Sequence, residues 1–447
     1  MDAKSHGALS RRTFLKIGGA AVAGSTLSLT GTLCQKQDES RIKEYRTLGR
    51  TGFKASDISF GGDPATTEVV RYAYDKGINY FDTAESYLGG DAERRIGQAM
   101  QFMDRSKIFI TTKLKFGMDE TEKNIIDRYR KCLERMQTDY ADALYIHAAD
   151  NSQIVKHEGF HSAVEKLKAE GRVKHAGLSC HGPEAEGEES MESVLTTAIE
   201  DGRFDLLLMS YNFLNKVEAE RVLAACKARN IGTTAMKTSP GLIEIETFDP
   251  DNPTETQEYL LWRFEKEGFS KKEAIERIHD TLKDQERTRG KIVPFAKKYG
   301  VVSNEELRKV CAQWVLSNQD MHTVCITVVG FKEIDMFVPL SGTKVDQAAI
   351  DFLNDFQLAY GNQYCRHGCN QCAANCTYRL PVSRIMRYSY YFTMQGREKY
   401  AMGKYRELGE RNASLCTTCE APCTGTCPYG VNIQANLASA HSLLKLG

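Results

Sequence analysis

Asn79-Tyr80-Phe81-Asp82-Thr83-Ala84-Glu85-Ser86-Tyr87 is a short β-rich run that ends on a carboxylate and passes at once into a polar loop carrying a phenol. Seven other runs have the same form, at Asp57–Gly61, Lys107–Lys113, Ala143–His147, Val173–Ser179, Leu206–Tyr211, Gly232–Met236 and Thr323–Val329. Amphipathic stretches separate them. Ile125, Ile126, Tyr129, Cys132, Leu133 and Met136 lie on one helical stripe, and Phe160, Ala163, Val164 and Leu167 form another before Gly171. Alternation of this kind predicts βα units and a parallel sheet, and eight strands over residues 44–345 predict a closed (β/α)8 TIM barrel of α/β class. Two open dinucleotide-binding halves would need a Gly-rich phosphate turn after the first strand, where only Gly61-Gly62 stands. A long segment at 241–303, containing Tyr259, Trp262 and Phe264, interrupts the pattern between the seventh and eighth strands. Its position predicts a loop region over the C-terminal mouth of the barrel.

Barrel chemistry takes place where the carboxyl ends of neighbouring strands lie side by side. Asp82 ends the second strand, Tyr87 follows five residues later, Lys113 ends the third and His147 the fourth. These four are therefore the candidate catalytic residues. A phenol is a poor acid near neutrality unless a nearby ammonium stabilises its phenolate, and Lys113 is placed to do so, lowering the Tyr87 pKa. Asp82 would hold Lys113, and His147 would orient a carbonyl oxygen toward Tyr87 as general acid.

Tyr45-Arg46-Thr47-Leu48-Gly49-Arg50-Thr51-Gly52, Phe81 to Tyr87, and Leu144-Tyr145-Ile146-His147 resemble aldo/keto reductase signatures, and the resemblance spans about residues 44 to 340. It implies reduction of an aldehyde or ketone with NADP(H), Asp82, Tyr87, Lys113 and His147 standing at the family's four catalytic positions. It also implies cofactor contacts at Ser179, Cys180, Lys237, Gly330 and Lys332. The match is poorer there. The family's Ser-Asn pair is replaced within Leu178-Ser179-Cys180-His181, and its usual strand-six glutamine by Leu208.

Fourteen cysteines are unevenly spread, eight of them between 365 and 427. Cys365, Cys369, Cys372 and Cys376 are spaced C-x3-C-x2-C-x3-C; Cys416, Cys419, Cys423 and Cys427 are spaced C-x2-C-x3-C-x3-C and run into Pro428. Four closely spaced thiolates on a turn-rich loop can wrap a cubane, and the second run resembles those of bacterial ferredoxins. The pattern predicts a small C-terminal α-helical, ferredoxin-like domain at 360–447 holding [4Fe–4S] clusters, two if both runs take part. The last cysteine of each run then has the option of serving the other run's cluster. Two zinc sites of four thiolates each, or disulfides, remain open alternatives. The scattered Cys34, Cys132, Cys180, Cys226, Cys311 and Cys325 read as small core residues.

Residues 1–33 form a separate segment. Ser10-Arg11-Arg12-Thr13-Phe14-Leu15-Lys16 precedes an apolar, small-residue stretch, the layout of a twin-arginine signal. Export follows as an expectation, to a periplasmic or membrane-tethered form. Acidic and basic side chains balance at 59 each, which gives no reason to expect nucleic acid as a partner. The expected protein is an exported iron–sulfur oxidoreductase acting on a small carbonyl or alcohol, with an electron-transfer partner. The competing expectation is an electron-transfer or binding protein whose barrel is inactive.

Overall fold

A computed structural model of the protein describes residues 40–62, 64–182, 189–239, 248–266, 269–279, 297–301, 303–360, 365–366, 369, 371–395 and 398–445. The signal segment expected at 1–33 lies outside them, as does much of the 241–303 segment. Strands β1 (Tyr45–Thr47) and β2 (Lys54–Ser56) pair as an antiparallel hairpin. Eight parallel strands follow: β3 (Ile58–Gly61), β4 (Tyr80–Asp82), β5 (Phe109–Leu114), β6 (Ala141–Ile146), β7 (Val173–Cys180), β8 (Leu206–Ser210), β9 (Gly232–Met236) and β10 (Thr323–Thr327). They pair in chain order and β10 returns to β3, closing the predicted barrel.

Period-two alternation divides the strand residues between two cores. Tyr80, Phe109, Ala143, Tyr145, Leu206 and Leu208 fill the lumen, while Phe81, Ile110, Leu144, Leu178, Cys180 and Leu207 face the surrounding helices. Leu48, from the turn of the hairpin, completes the luminal core. The turn sits hard against the start of β9: a Cβ on Gly49, whose φ is +51°, would stand 2.2 Å from the Gly232 nitrogen. The hairpin therefore plugs the end of the barrel opposite the strand carboxyl ends.

Helix Gln347–Tyr360 leaves the barrel and buries Phe352 and Phe356 against Phe213 and Leu214, in the loop after β8. Arg366 then donates from Nε to the Leu214 carbonyl at 2.8 Å, and its guanidinium stacks on Tyr429 at 4.0 Å. The cysteine-rich region is thereby fixed to one barrel loop. Helices Val382–Gln395, Glu398–Arg406 and Ile433–Leu444 share a second core that contains Cys372, Cys376, Cys416 and Cys423. Within the insertion, helix Glu255–Lys266 contributes Leu261 to a small cluster with Ala274 and Ile278. No helix among the described residues is long and apolar enough to cross a membrane.

Candidate active site and cysteine module

The polar ends of β4 to β6 are stitched beyond the last regular ladder pairs. Thr83 N donates to Thr111 O at 2.9 Å, Glu85 N to Lys113 O at 3.2 Å, and His147 N to Leu114 O at 2.9 Å. Arg128 clamps the intervening loop by pairing with Glu85 and with Glu120 at 2.7 Å. Tyr87 thus begins a 3-10 turn, Tyr87–Gly90, on a braced segment.

The four residues converge. Lys113 is fully buried and pairs with Asp82, and its Nζ also donates to Thr83 O at 2.8 Å and to Tyr87 Oη at 3.5 Å. Thr111 Oγ1 donates to the other Asp82 oxygen at 2.7 Å. Sequence reasoning missed Thr111, although it stands two residues before Lys113 and so on the same face. The Tyr87 and His147 rings meet edge to face at 5.6 Å. His147 Nδ1 is buried without a hydrogen-bond partner among the described residues.

The expected depression of the Tyr87 pKa is corrected by the structure. Lys113 does pull the phenol down, but burial and the Asp82 charge together outweigh it, and the net direction is upward. Tyr87 therefore remains a protonated donor at neutral pH. Burial works against the Lys113 ammonium, yet Asp82 and Tyr87 reverse it and hold the charge. His147 is pushed down to about 3, by burial first and then by Lys113 and Lys115, so its imidazole is neutral.

The expected cofactor positions do not assemble in the same way. Ser179 Oγ accepts from Ala148 N at 2.8 Å and lies 3.4 Å from Ile146 O, so it serves the backbone of the β6–β7 crossing. Cys180 points into the helix-facing core, and Leu208 is buried in the lumen. The reason is parity: Ser179 and Cys180 are consecutive in a strand and face opposite sides. Lys237 has φ +53° and its carbonyl accepts from Asn212 Nδ2 at 3.0 Å. Gly330 caps helix Phe331–Phe337, its N–H bonded to Glu333 at 2.9 Å, and Lys332 is exposed beside it. Of the two positions at the end of β7 that the resemblance assigns to the nicotinamide amide, only Ser179 is therefore on the luminal face.

The two cysteine runs share a local structure that their sequences only partly disclose. Cys372 and Cys376 flank the 3-10 turn Ala373–Asn375; Cys423 and Cys427 flank Thr424–Thr426. Backbone angles agree closely, with φ, ψ of −82°, −14° and −79°, 115° at the first pair and −66°, −27° and −75°, 113° at the second. Three residues beyond each last cysteine, Arg379 and Gly430 both have positive φ, and their N–H groups donate to Cys376 O and Cys427 O. Buried Leu380 and Val382 then correspond to Val431 and Ile433. The runs are thus a structural repeat, although run one lacks a proline after its last cysteine.

The thiols fall into two crossed sets. Burial pushes Cys365 up to about 11 and Cys369 up to about 12, and Cys427 adds to both. Cys372 is raised by burial and then by Cys365, Cys369, Cys427 and Cys423. Cys416 is pushed up to about 12 by burial, then by Cys376, Cys423 and Cys419. Cys365, Cys369, Cys372 and Cys427 thus act mainly on one another, as do Cys376, Cys416, Cys419 and Cys423, with Cys423 also acting on Cys372. No three Cys, His, Asp or Glu side chains among the described residues are gathered as around a single metal ion. Glu218, unforeseen from sequence, is buried beside Cys369; burial, followed by Glu192, pushes it up to about 8 against Arg221 and Arg366. Of the scattered cysteines, Cys132, Cys180, Cys226 and Cys311 are buried core residues as expected, and Cys34 lies outside the described residues. Cys325 packs with the luminal core, near Asp82 and Lys113.

Known proteins resemble this chain over the barrel. A probable aldo-keto reductase 1 of Glycine max is 34% identical over 159 residues, covering 31% of this chain and 45% of the relative. An L-galactose dehydrogenase of Arabidopsis thaliana is 32% identical over 155 residues, covering 30% and 48%. The chain thus matches about half the length of these curated relatives. An aldo-keto reductase from Klebsiella pneumoniae, solved in complex with NADPH, is 16% identical with a TM-score of 0.49, over 70% of this chain and 95% of that one. The description of the aldo/keto reductase family matches residues 59–347, most of the barrel and well over half the chain, and the chain belongs to that family.

Proposed function

We propose that the barrel interconverts a carbonyl and an alcohol with Tyr87 as general acid and base, that the cysteine module holds two [4Fe–4S] clusters, and that the protein is exported by the twin-arginine route. One observation carries the first part: Tyr87 Oη stands 3.5 Å from a buried ammonium that Asp82 fixes, and against a neutral imidazole.

In the reducing direction the substrate oxygen accepts hydrogen bonds from the Tyr87 hydroxyl and from the protonated nitrogen of His147. As the carbon gains a hydride, negative charge builds on that oxygen and the phenolic proton moves to it. Lys113 stabilises the phenolate left behind, and Asp82 with Thr83 O keeps the ammonium in place. Oxidation runs the same proton back through Tyr87. NADP(H) is the carrier the family implies and would supply the hydride; with Cys180 and Leu208 replacing two of the family's amide contacts, the tetrad of Asp82, Tyr87, Lys113 and His147 defines only the proton side of the reaction.

The same mismatch favours a second reading, a barrel that binds without catalysing. Tyr87→Phe separates the two. It should lower kcat/KM by about 10²- to 10⁴-fold on every carbonyl the protein accepts, and unchanged turnover would overturn the enzymatic reading.

The number and spacing of the cysteines support the second part of the proposal. Eight thiols, carried by two repeated turns and divided four and four, match the ligand number of two cubanes, and the crossed division follows the exchange of the fourth ligand in two-cluster ferredoxins. Bound clusters would supply one-electron storage and transfer to a redox partner. Anaerobically purified protein is expected to contain iron and labile sulfide; zinc in their place would overturn this part.

A further inference from the structure

Arg387 is a buried cation that neither the tetrad nor the spacing of the thiols explains. Arg384, Arg387, Tyr388 and Tyr391 recur at the i, i+3, i+4, i+7 spacing of one helical face, and on helix Val382–Gln395 that face is buried. Arg387 is 3% exposed, so its head group is withdrawn from water. Its Nε and Nη1 have no hydrogen-bond partner among the described residues. The guanidinium lies 4.9 Å from the centre of the Tyr390 ring and 6.0 Å from that of Tyr391. Those rings offset part of the desolvation of a buried charge, but they carry no charge to balance it. An anion is needed beside it.

The set of Cys365, Cys369, Cys372 and Cys427 lies where that anion is needed. After burial, Arg387 is the strongest influence on the Cys365 thiol, and Arg366 acts in the same sense. Arg366 is also 3% exposed, held by its bond to Leu214 O and its stack on Tyr429. Two buried guanidinium groups therefore stand beside this set. Glu218, on the barrel helix Lys216–Ala228, opposes them at Cys365 and Cys369. One carboxylate cancels at most one of the two cations, so the local balance is positive whether or not Glu218 is ionised.

The set of Cys376, Cys416, Cys419 and Cys423 has other surroundings. Among the described residues, only burial and three other cysteines act on Cys416. The charged side chains beside its turns, Arg379, Arg411 and Glu420, are exposed, where water and salt screen them. Amide bonds to sulfur favour this set by a single bond: Leu380 N donates to Cys376 Sγ at 3.3 Å and Ala421 N to Cys419 Sγ at 3.4 Å, against one from Gln371 to Cys369. A buried full charge outweighs one peptide dipole. Exposure does not reverse the order, since Cys376, Cys416 and Cys423 are buried in this set and only Cys372 in the other.

A cubane core with two positive charges, bound by four thiolates, carries two net negative charges, and three after reduction. Positive neighbours therefore stabilise the reduced form more than the oxidised form and raise the reduction potential. We infer that Arg387, with Arg366, raises the potential of the cluster held by Cys365, Cys369, Cys372 and Cys427 above that of the other, so that an electron in the module comes to rest beside the barrel. The inference rests on the two-cluster reading of the cysteine module. This set is the barrel-side one because Arg366 bonds to the loop after β8 and Glu218 lies beside Cys369. An electron passing between the clusters oxidises one and reduces the other by a single charge; no bond changes and no proton moves. Arg387 acts through the cluster and is a positioning residue.

The test is an anaerobic redox titration of the full chain followed by low-temperature paramagnetic resonance, with Cys369→Ser identifying the barrel-side signal. That signal is expected to appear first as the potential is lowered. In Arg387→Leu its midpoint should fall by at least about 59 mV, a tenfold change in the ratio of reduced to oxidised cluster, while the other cluster moves less. Arg387→Lys, which keeps the charge, should restore most of the shift. Clusters that titrate together or in the reverse order in the parent protein overturn the inference, and that measurement needs no variant. An Arg387→Leu midpoint equal to the parent's, or an equal shift of both clusters, overturns it as well. Protein that contains no iron, or that gives no reducible signal, overturns the two-cluster reading itself, a distinct result.

Discussion

Asp82 and Lys113 illustrate how a buried pair is retained for chemistry. Taking both charges from water is costly, and the cost is offset only because Thr111, Thr83 O and Tyr87 Oη satisfy the remaining valences. His147 presents the opposite solution, since the site keeps it uncharged. Its folded pKa of about 3 lies below the value of about 6.5 for a free imidazole. As pH falls through that interval the unfolded chain takes up the proton and the folded chain does not, so stability is full above about pH 6.5 and is lost progressively toward about pH 3. Each tenfold difference in proton affinity between the two states corresponds to about 1.4 kcal/mol. His147→Gln should therefore flatten the acid limb of a urea-unfolding stability curve over this window. An acid limb of unchanged slope in the variant would show that His147 does not contribute to it.

At the scale of the element, the cysteine turns make the sharpest prediction. Each Cys-x3-Cys unit wraps one 3-10 turn, which points its two sulfurs to different neighbours: Cys372 to Cys365 and Cys369, Cys376 to Cys416 and Cys423. In the proposed clusters, membership would then be crossed between the runs. Cys427→Ser should perturb the same low-temperature paramagnetic resonance signal as Cys369→Ser, from the other run. Cys376→Ser should perturb the signal that Cys419→Ser does. Loss divided strictly by run would contradict the crossed arrangement. Parity acts on the β7 element in a similar way, turning Cys180 toward the helices and Ser179 to the opposite face. The Ser179 hydroxyl is consumed by the Ala148 amide, and His181 is left with an unpaired ring nitrogen among the described residues.

On the scale of the whole molecule, Arg366, Phe352 and Phe356 anchor the cysteine module to the loop after β8, so the module is seated on the barrel rather than tethered to it. A preassembled unit of this kind suits the twin-arginine route proposed from Arg11 and Arg12, since that route carries folded proteins. Lys at both positions should leave the protein in the cytoplasm when cell fractions are probed with antibody. Export of the double variant at the parent's level would remove the twin-arginine assignment.

The eight strands, their order in a closed barrel and the helical stripes were legible in the sequence, because burial on one face imposes a period of two on strands and 3.6 on helices. The tetrad was legible for the same reason, as strand ends are marked where apolar runs stop. Strand limits moved by one or two residues, with β5 extending to Leu114 and β6 beginning at Ala141. Three matters were settled only in three dimensions. The direction in which the Tyr87 pKa moves depends on burial summed over groups brought together from three strands. The repeat between cysteine runs lies in backbone angles that different side chains can adopt. The bond from Ala148 N to Ser179 Oγ depends on the β6–β7 register, which no local stretch of sequence contains. Local pattern determined which elements form and where their polar ends lie; the tertiary structure decided which polar groups share a neighbourhood, because charge, desolvation and hydrogen bonding act across space and not along the chain.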